Sequence, residues 1–280
     1  MPRIFTGAGR SSAPILSSEI VFRMPASNRA TLAVIIVAKN EAADIGDCIR
    51  SVRDWADDVI VFDSGSTDGT QEICRQLGAR VFETDWPGYG EQSNRALREA
   101  RTDWVLSLDA DERVSPELRA EMIAVLESGS PHTVYSMPRS SSFCGRFMKH
   151  SGWWPDRIRR FFKREKVTFF DAPVHSHLIF EGTVGDFRSP IIHYSIPDLE
   201  AALDKANDYS TAGAAAAYAK GKRASLGSAI GHGLWAFIRT YIIQRGFLDG
   251  AEGFMLAVSN AEGTYYRYVK LMMLHRHGKR

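Results

Sequence analysis

The feature that most constrains the fold of this chain is an uninterrupted apolar run, Leu32–Ala38, with the sequence LAVIIVA. A run without polar alternation is typical of a strand that is buried on both faces of a parallel sheet. Similar apolar runs recur at residues 59–62, 79–82 and 104–108. Between them, apolar residues at helical spacing predict helices at residues 45–52, 73–77 and 92–100. Strands that alternate with helices predict an α/β fold with an open, mostly parallel, Rossmann-like sheet.

The second half of the chain follows a different pattern. Ser115 before Pro116 predicts the start of one more helix. Short strand-like runs then occur at residues 133–137, 167–170 and 191–194, among many aromatic and basic residues. From Asp198 onward the pattern is helical, with helices predicted from Leu199 and at residues 234–244 and 264–274. We therefore expect a flexible N-terminal extension (1–30), an α/β domain (31–197) and a C-terminal helical region (198–280).

The composition excludes several classes of protein. Lys plus Arg number 35 and Asp plus Glu number 33, so the net charge of +2 argues against a globally basic nucleic-acid-binding protein. No apolar run approaches the roughly 18–20 residues of a membrane span, and the first 30 residues lack the apolar core of a secretory signal. Cys48, Cys74 and Cys144 form no C-x-x-C pair, so we expect buried thiols in a reducing compartment rather than disulfides or a zinc site.

Polar clusters follow three of the predicted strands, at residues 39–41, 63–68 and 109–112. Ligands of open parallel sheets bind outside the carboxyl ends of the strands, so these clusters predict one binding site. Asp109 and Asp111 form a D-x-D pair, which suits Mg²⁺ or Mn²⁺ carried with a diphosphate, although a solvated turn would have the same sequence. Residues 63–69 fit either a capped strand-to-helix turn or a carboxylate site for a base or ribose, and they match neither the P-loop nor the dinucleotide-binding glycine motif.

The order of three segments carries a resemblance to a known family. Residues 34–41 (VIIVAKNE), 61–70 (VFDSGSTDGT) and 104–112 (WVLSLDADE) resemble the family 2 glycosyltransferases of GT-A fold. Segments at 88–94, 149–153, 155–156, 174–175, 193–195 and 246–250 are similar to the lipopolysaccharide core β-glucosyltransferases of the WaaE/LgtF kind, and the match covers residues 31–274. The resemblance implies that residues 31–197 form a catalytic domain that binds a nucleotide sugar. It implies inverting transfer of a hexose, usually glucose in this group, from a UDP-sugar to the lipopolysaccharide inner core.

The same resemblance assigns roles to individual residues. It implies that Asn40, Glu41 and Asp63, with Ser66 of the same turn, hold the base and ribose, and that Gln92 and Asn94 line the sugar-diphosphate side. Asp109 would reach the ribose or a metal-bound water, and Asp111 would ligate a divalent metal (Mg²⁺ or Mn²⁺) whose coordination His193 completes. His175 is the expected catalytic base, with Asp171 as the second catalytic candidate. Ser176 replaces an acidic residue that is usual in the group, so His177 and Glu181 also stay open as bases.

Several alternatives remain open from the sequence. The basic run at residues 157–166 has Arg157 and Arg159 on one face of a strand and Arg160 on the other, and one face could address the donor diphosphate or an anionic acceptor. The basic tail (275–280) and the aromatic, basic helices before it suit either the inner-membrane surface or plain solvent, so we expect a cytoplasmic protein peripheral to the inner membrane. The acceptor could instead be a polyprenyl phosphate, a capsule precursor or a peptide, and a non-catalytic nucleotide-sugar-binding relic is the remaining reading.

Overall fold

The computed structural model describes residues 29–170 and 177–277. The predicted extension lies almost wholly outside these residues, as does the segment 171–176. Within the described part, one ten-stranded sheet has the strand order β3-β2-β1-β4-β8-β6-β12-β5, with two further strands, β7 and β11, paired to β6. Its first four strands are parallel: β1 (Leu32–Ala38), β2 (Asp58–Asp63), β3 (Arg80–Glu83) and β4 (Trp104–Asp109). These are the four strands predicted from the apolar runs.

The remaining strands extend the sheet beyond β4. They are β5 (Glu112–Val114), β6 (Val134–Phe143), β7 (Arg146–Phe147), β8 (Asp156–Lys163), β11 (Val184–Asp186) and β12 (Ile191–Ile196), while β9 (Val167–Phe170) and β10 (His177–Phe180) form a separate antiparallel pair. β8 runs antiparallel between β4 and β6, and β12 pairs in parallel with β6 and antiparallel with β5. This arrangement places β8 beside β4, whose last residue is Asp109, and places β12 beside β5, which begins just after Asp111.

The helices lie between and after the strands. α1 (Ile45–Arg50), α2 (Thr70–Gln76), α3 (Tyr89–Glu99) and α4 (Pro116–Ser128) belong to the alternating part of the chain, and α5 (Leu199–Ala219), α6 (Leu226–Ile238) and α7 (Gly250–His277) form the C-terminal region. The predicted start of α4 is confirmed, because the Ser115 hydroxyl accepts a hydrogen bond from the Leu118 amide at 3.2 Å. Among residues 29–170 and 177–277, no helix combines the length and hydrophobicity needed to span a bilayer.

Both faces of the first strands are covered, which explains the unbroken apolar run of β1. Leu32, Val34 and Ile36 pack on one face with α1 and α4, and Ala33 and Ile35 pack on the other with α3. Successive side chains of a strand point to opposite faces, so each face needs its own apolar set. Burying each large aliphatic side chain stabilises the fold by about 1.5–3 kcal/mol. The predicted α/β architecture with a mostly parallel sheet and a C-terminal helical region is confirmed.

The thiols and the C-terminal helices complete the picture. Cys48 and Cys74 are buried free thiols in the core on the α1 face of β1, as expected, whereas Cys144 is only partly buried.

α7 packs along α5 and α6, and Gly233 of α6 permits close approach because a Cβ there would lie 3.3 Å from the Ala261 carbonyl oxygen. A third apolar cluster joins the sheet to these helices: Phe143, Met148, Ile196, Ala202 and Leu256.

Candidate active site

The carboxyl ends of β1, β2 and β4 meet at one edge of the sheet. In the strand register, Ala38 lies opposite Asp63 of β2, and Val37 lies opposite Asp109 of β4. The residues that follow β1 therefore sit between the other two polar clusters. This geometry brings three separate sequence motifs to one place, as the sequence predicted.

The turn after β2 holds its own carboxylate tightly. Asp63 is fully buried, and its Oδ1 accepts hydrogen bonds from the amides of Gly65 (3.1 Å) and Ser66 (2.9 Å) and from Gln71 Nε2 (2.6 Å). Its Oδ2 accepts from the Ser66 hydroxyl, and that hydroxyl in turn accepts from the Asn40 amide at 2.7 Å. Three of the predicted donor-binding residues, Asn40, Asp63 and Ser66, thus belong to one hydrogen-bonded network.

Asn40 itself adopts a left-handed backbone conformation, with φ of 55°. Asn tolerates this region better than most residues because its short polar side chain bonds locally. Here the Asn40 Oδ1 accepts from the Thr67 amide at 2.9 Å, which ties the turn after β1 to the turn after β2. The conformation directs the chain so that Glu41 follows at the edge of the sheet.

Glu41 lies among other carboxylates. Burial, together with the negative charges of Asp111, Asp44, Asp109 and Asp68, raises its pKa to about 7. A carboxyl that resists ionisation because of like charges marks a region of negative potential. Such a region favours cations and hydroxyl donors.

The carboxylates of Asp109 and Glu112 both lie close to the guanidinium of Arg160. Asp109 is about half exposed (48%), and its carboxylate accepts a hydrogen bond from Arg160 of β8. Glu112 is fully buried; its Oε2 accepts from the Asp109 amide at 3.0 Å, and its Oε1 lies 3.5 Å from Arg160 Nη2 and 3.8 Å from Arg139 Nη1. Burial raises the pKa of Glu112 to about 7 against the opposing charge of Arg160. Within the described residues, Glu112 Oε1 has no hydrogen-bond partner.

Asp111 and His193 are brought together as predicted. The strand pairing of β12 with β5 and β6 places His193 opposite both Glu112 and Ser141. His193 Nε2 lies 3.2 Å from Asp111 Oδ2, and His193 Nδ1 lies 2.8 Å from the Ser141 hydroxyl oxygen. Burial works to raise the pKa of Asp111, but the hydrogen bond with His193 and the nearby positive charge of Lys205 hold it below its usual value. Asp111 therefore stays ionised beside an imidazole whose orientation Ser141 fixes.

Gln92 and Asn94 are engaged within the protein. Gln92 is fully buried, and its Nε2 donates to the hydroxyls of Ser64 (2.9 Å) and Thr84 (2.6 Å). Asn94 Nδ2 donates to the Phe169 carbonyl at 2.8 Å, and Asn94 Oδ1 accepts from the Phe169 amide at 2.9 Å. In this arrangement the two side-chain amides connect α3 to the residues around it. Either side chain would have to give up these hydrogen bonds in order to contact the sugar-nucleotide donor.

The two predicted catalytic residues, His175 and Asp171, lie outside the described residues, together with Ser176. Of the other candidate bases, His177 opens β10 as an exposed residue with its ring 4.7 Å from the Phe170 ring, and Glu181 is exposed just after that strand. Their roles remain predictions.

The sequence does not reveal the contributions of four further residues: Arg160, Glu112, Ser141 and Lys205. In the sequence, Arg160 is one member of a basic run. The alternation of side chains between the two faces of a strand is the only feature that separates it from its basic neighbours. Arg157 bonds instead to Ser136 Oγ (3.0 Å) and Asp186 Oδ1 (2.7 Å), so the two faces of β8 serve different neighbours. Nothing in the local sequence indicates that β8 inserts beside β4, and that insertion is what brings Arg160 to Asp109.

Comparison with known proteins agrees with this geometry. The family model described as Glycosyl transferase family 2 matches residues 33–183. An uncharacterized glycosyltransferase of Rickettsia prowazekii is 30% identical over 252 residues, covering 86% of each chain. The lipopolysaccharide core biosynthesis glycosyltransferase LpsC of Rhizobium meliloti is 28% identical over 256 residues, covering 87% of this chain and 93% of its own.

Among solved structures, a glucosyl-3-phosphoglycerate synthase of Mycobacterium tuberculosis, in complex with Mn²⁺, uridine diphosphate and glucosyl-3-phosphoglycerate, is 29% identical. The match covers 41% of this chain and 45% of that one, with a TM-score of 0.34. Since the family model spans more than half of the 280 residues and the Rickettsia relative matches nearly the full length, this chain belongs to glycosyl transferase family 2 and is a glycosyltransferase of GT-A fold.

Proposed function

We propose that this enzyme transfers a hexose, glucose, from a UDP-sugar to the inner core of lipopolysaccharide, with inversion at the anomeric carbon. The observation that carries the proposal is the shared edge at which Asp109, Asp111 and Glu41 lie beside Arg160 and His193. The lipopolysaccharide acceptor is supported by the similarity to LpsC, whose name assigns that protein to lipopolysaccharide core biosynthesis.

On the donor side, the base and ribose would lie against the network of Asn40, Asp63 and Ser66. The hydrogen bonds that Asp63 accepts from its own turn hold that turn in shape, so it needs little rearrangement when the nucleotide binds. Glu41 and Asp109 would accept hydrogen bonds from the ribose hydroxyls, and Gln92 and Asn94 would support α3 behind the sugar-diphosphate.

A divalent metal fits the pair Asp111 and His193. Among residues 29–170 and 177–277, no three His, Cys, Asp or Glu side chains converge as a closed metal site. Mg²⁺ typically takes one or two protein carboxylates together with substrate phosphates, and Mn²⁺ accepts both oxygen and imidazole ligands. An ionised carboxylate 3.2 Å from an oriented imidazole suits an ion that arrives with the diphosphate. When bound, the ion would supply neutralisation of the charge on the departing nucleoside diphosphate.

The chemical step is a single displacement. An acceptor hydroxyl oxygen forms a bond to the anomeric carbon while the bond from that carbon to the diphosphate oxygen breaks, and UDP leaves with the electron pair. The hydroxyl proton passes to a base on the face opposite the diphosphate. We assign that base to His175, with Asp171 as the second candidate. The assignment predicts that His175→Ala lowers transfer by about 10²–10⁴-fold while UDP binding is kept.

The test is a transfer assay with UDP-glucose, Mn²⁺ and lipopolysaccharide truncated at the inner core. We expect UDP release coupled to addition of one hexose, detected by mass spectrometry of the acceptor. Asp111→Ala should lose turnover by at least about a hundredfold, since several kcal/mol of charge stabilisation depend on it. Asp54→Ala, which removes an exposed aspartate, is the matched control. Equal turnover by Asp111→Ala and the parent would refute the role of that carboxylate.

Two alternatives predict different results in the same assay. If the acceptor is a polyprenyl phosphate, a capsule precursor or a peptide, UDP-glucose is consumed with that acceptor and not with the truncated lipopolysaccharide. If the chain is a non-catalytic relic, UDP-glucose binds but is neither transferred nor hydrolysed over hours. An acceptor panel therefore separates the three readings.

The same proposal places the enzyme peripherally on the inner face of the inner membrane, with α6 against the lipid. Large apolar side chains on α6 and just after it are each more than half exposed (52–60%): Leu226, Ile230, Leu234, Trp235, Ile242 and Ile243. The buried residues of α6 are Ala229 and Gly233, and Gly233 lies against Ala261 and Tyr265 of α7. The exposed cations Lys222 and Arg223 precede this apolar face. Apolar side chains flanked by basic residues favour the surface of an anionic bilayer.

Vesicle sedimentation tests this placement. We expect the parent to sediment with vesicles containing phosphatidylglycerol and less with pure phosphatidylcholine. The double variant Leu234→Ser/Trp235→Ser should lose most vesicle binding, whereas Leu199→Ser, a change at an exposed leucine of α5, should lose little. Equal sedimentation of the parent and the double variant would contradict the assignment of α6.

A further inference from the structure

An open cavity lies beside the predicted metal pair. Its volume is about 360 Å³, and it is lined by residues of β12, α5 and α7 together with Trp153. This size falls at the lower end of the ~300–1,000 Å³ typical of small-molecule sites. The walls come from both the sheet and the C-terminal helices, so the cavity forms only where the two parts of the fold meet.

The charged groups that line this cavity are all cationic. It includes Lys205 and Arg267, and none of the fourteen lining residues is Asp or Glu. Within the described residues, neither cation forms an ion pair with a carboxylate; Arg267 lies over the Tyr268 ring, 5.1 Å from its centroid. Lys270, which lies on the same helix as Arg267, differs from these two cations. Its ammonium donates hydrogen bonds to Asn207, Ser210 and Thr211 and so has partners within the protein. Lys205 lies near the Asp111 carboxylate but forms no ion pair with it in the described residues, so an open cavity that contains both cations favours an anionic ligand.

The other lining groups suit a sugar. Trp153 offers an aromatic face, and Asn260, Ser195 and Tyr209 offer hydrogen-bonding groups for hydroxyls. Trp153 is held by the turn before it, in which the Ser151 amide donates to the Gln244 carbonyl at 2.8 Å and the Trp153 amide donates to the His150 carbonyl at 3.0 Å. An apolar surface with a few polar groups is the usual form of a small-molecule site.

The cavity adjoins the reaction site through β12. Ser195 follows two residues after His193, which contacts Asp111, and the Tyr194 amide donates to the Asp111 carbonyl at 2.9 Å. A ligand in the cavity would therefore lie on the C-terminal-helix side of Asp111, whereas the Asn40–Asp63–Ser66 network lies beyond Glu41 toward β2. A donor nucleotide bound at that network and a ligand in the cavity would lie on different sides of the acidic edge.

We propose that this cavity is the acceptor site and that it recognises an anionic sugar, bearing a carboxylate or a phosphate, through Lys205 and Arg267. The inference rests on the proposed function, since only a sugar-transferring enzyme has an acceptor, and it names the chemical class of that acceptor. Lys205 and Arg267 position the acceptor by its charge, and Trp153 supports the sugar ring.

A second cavity provides the competing location. Its volume is about 260 Å³, and its lining includes Lys220, Lys222, Arg223 and, again, Arg267. Because Arg267 borders both cavities, a variant at Arg267 alone does not distinguish them. Lys205 and Gly263 line only the larger cavity, and Lys222 lines only the smaller one. A Cβ at Gly263 meets Ala206 no closer than 3.7 Å, so the Cβ of Gly263→Leu causes no clash there, and the rest of the side chain would fill part of the larger cavity.

The experiment measures equilibrium binding of three probes to the full chain: glucuronate, glucose 6-phosphate and glucose. Calorimetric or ligand-observed NMR titrations are made with and without UDP and Mn²⁺, so that occupancy of the donor site is controlled. We expect the parent to bind both anionic probes about tenfold or more tightly than glucose. Lys205→Ala and Gly263→Leu should remove this preference, and Arg267→Lys should keep more of it than Arg267→Ala. Arg101→Ala, at an exposed arginine before β4, is the charge-matched control.

Four results would overturn the inference. The first three are equal binding of the neutral and anionic probes by the parent, a preference that survives Lys205→Ala/Arg267→Ala, and a loss caused by Lys222→Ala but not by Lys205→Ala. A loss of UDP affinity equal to the loss of probe affinity in Arg267→Ala would assign the cations to the donor and would also contradict it. Since no transfer is required, failure of the proposed glycosyl transfer is seen separately, as absence of UDP-glucose turnover with every acceptor.

Discussion

Replacing Asp249 by alanine should strongly destabilise the joint between the sheet and the C-terminal helices. Asp249 is buried at the start of α7, and its carboxylate accepts four hydrogen bonds. The donors are the amides of Lys149 (3.1 Å) and His150 (3.0 Å), His150 Nδ1 (3.0 Å) and the Ser151 hydroxyl (3.1 Å). Each buried donor left without an acceptor costs about 1–3 kcal/mol, and some will reach water in the variant. We therefore expect Asp249→Ala to lower the free energy of unfolding by about 3–5 kcal/mol.

The pH dependence gives this prediction a second readout. Burial works to raise the pKa of Asp249, but the hydrogen bonds it accepts hold that pKa below its usual value. A carboxyl with a lowered folded-state pKa contributes stability above its unfolded pKa of roughly 3.9, and that contribution is lost as pH falls through the folded-state pKa. The difference in stability between parent and variant should thus be complete at neutral pH and shrink in acid.

Urea unfolding, followed by tryptophan fluorescence from pH 3 to pH 7, measures both quantities. Asp249→Asn keeps one acceptor oxygen and should lose about half as much stability as Asp249→Ala. Asp54→Ala, at an exposed site, should change stability by less than about 0.5 kcal/mol. A loss below about 1 kcal/mol for Asp249→Ala, or a difference that does not vary with pH, would refute the reasoning.

Three further predictions concern the frame around the site. Arg160→Ala leaves the buried Glu112 without its nearer cation and should lower the free energy of unfolding by about 2–4 kcal/mol, measured by urea titration; no loss would show that Arg139 suffices. Asn94→Ala removes two hydrogen bonds to the Phe169 backbone and should lower the free energy of unfolding by about 2–3 kcal/mol in the same assay. An unchanged unfolding midpoint would instead favour a role for Asn94 in contacting the sugar-nucleotide donor. Chelation by EDTA should abolish UDP-glucose turnover, and Mn²⁺ should restore it; full turnover in EDTA would remove the metal from the mechanism.

The parallel half of the fold could be predicted from sequence because its signals are local. β1, β2 and β4 are apolar runs that end in polar clusters, and their observed bounds lie within one residue of the predicted ones. The start of α4 at Pro116 follows from the cap at Ser115. Since parallel strands share one carboxyl edge, the meeting of the three polar motifs followed directly.

Several strands of the second half of the sheet were predicted, but the way they pair could not be, because the signals for pairing are not local. β8 lies between β4 and β6, and this insertion, which places Arg160 beside Asp109, depends on pairing between residues far apart in sequence. α6 begins at Leu226, well before the predicted start at residue 234. Its glycines weaken the helical signal in the sequence, and one of them, Gly233, packs closely on α7.

Two of the sequence segments that resemble the family contact each other in the structure, and the sequence alone does not show this. Residues 149–153 and 246–250 are far apart along the chain, and neither predicts a function by composition. In the fold, Asp249 of the second segment accepts the hydrogen bonds of the first. The pair holds Trp153 at the wall of the proposed acceptor cavity, so their joint role is to position the two parts of the enzyme.

The central claim is that the acidic edge formed by β1, β2 and β4 binds a nucleoside diphosphate together with a divalent ion. Calorimetric titration of UDP into the full-length protein, with and without Mn²⁺, tests it most directly. We predict that Mn²⁺ increases the affinity of the parent for UDP at least about tenfold, and that Asp111→Asn and His193→Ala lose this increase while Asp54→Ala keeps it. UDP binding that is absent in the parent, or that is equally strong in Asp111→Asn with Mn²⁺ present, would contradict the account.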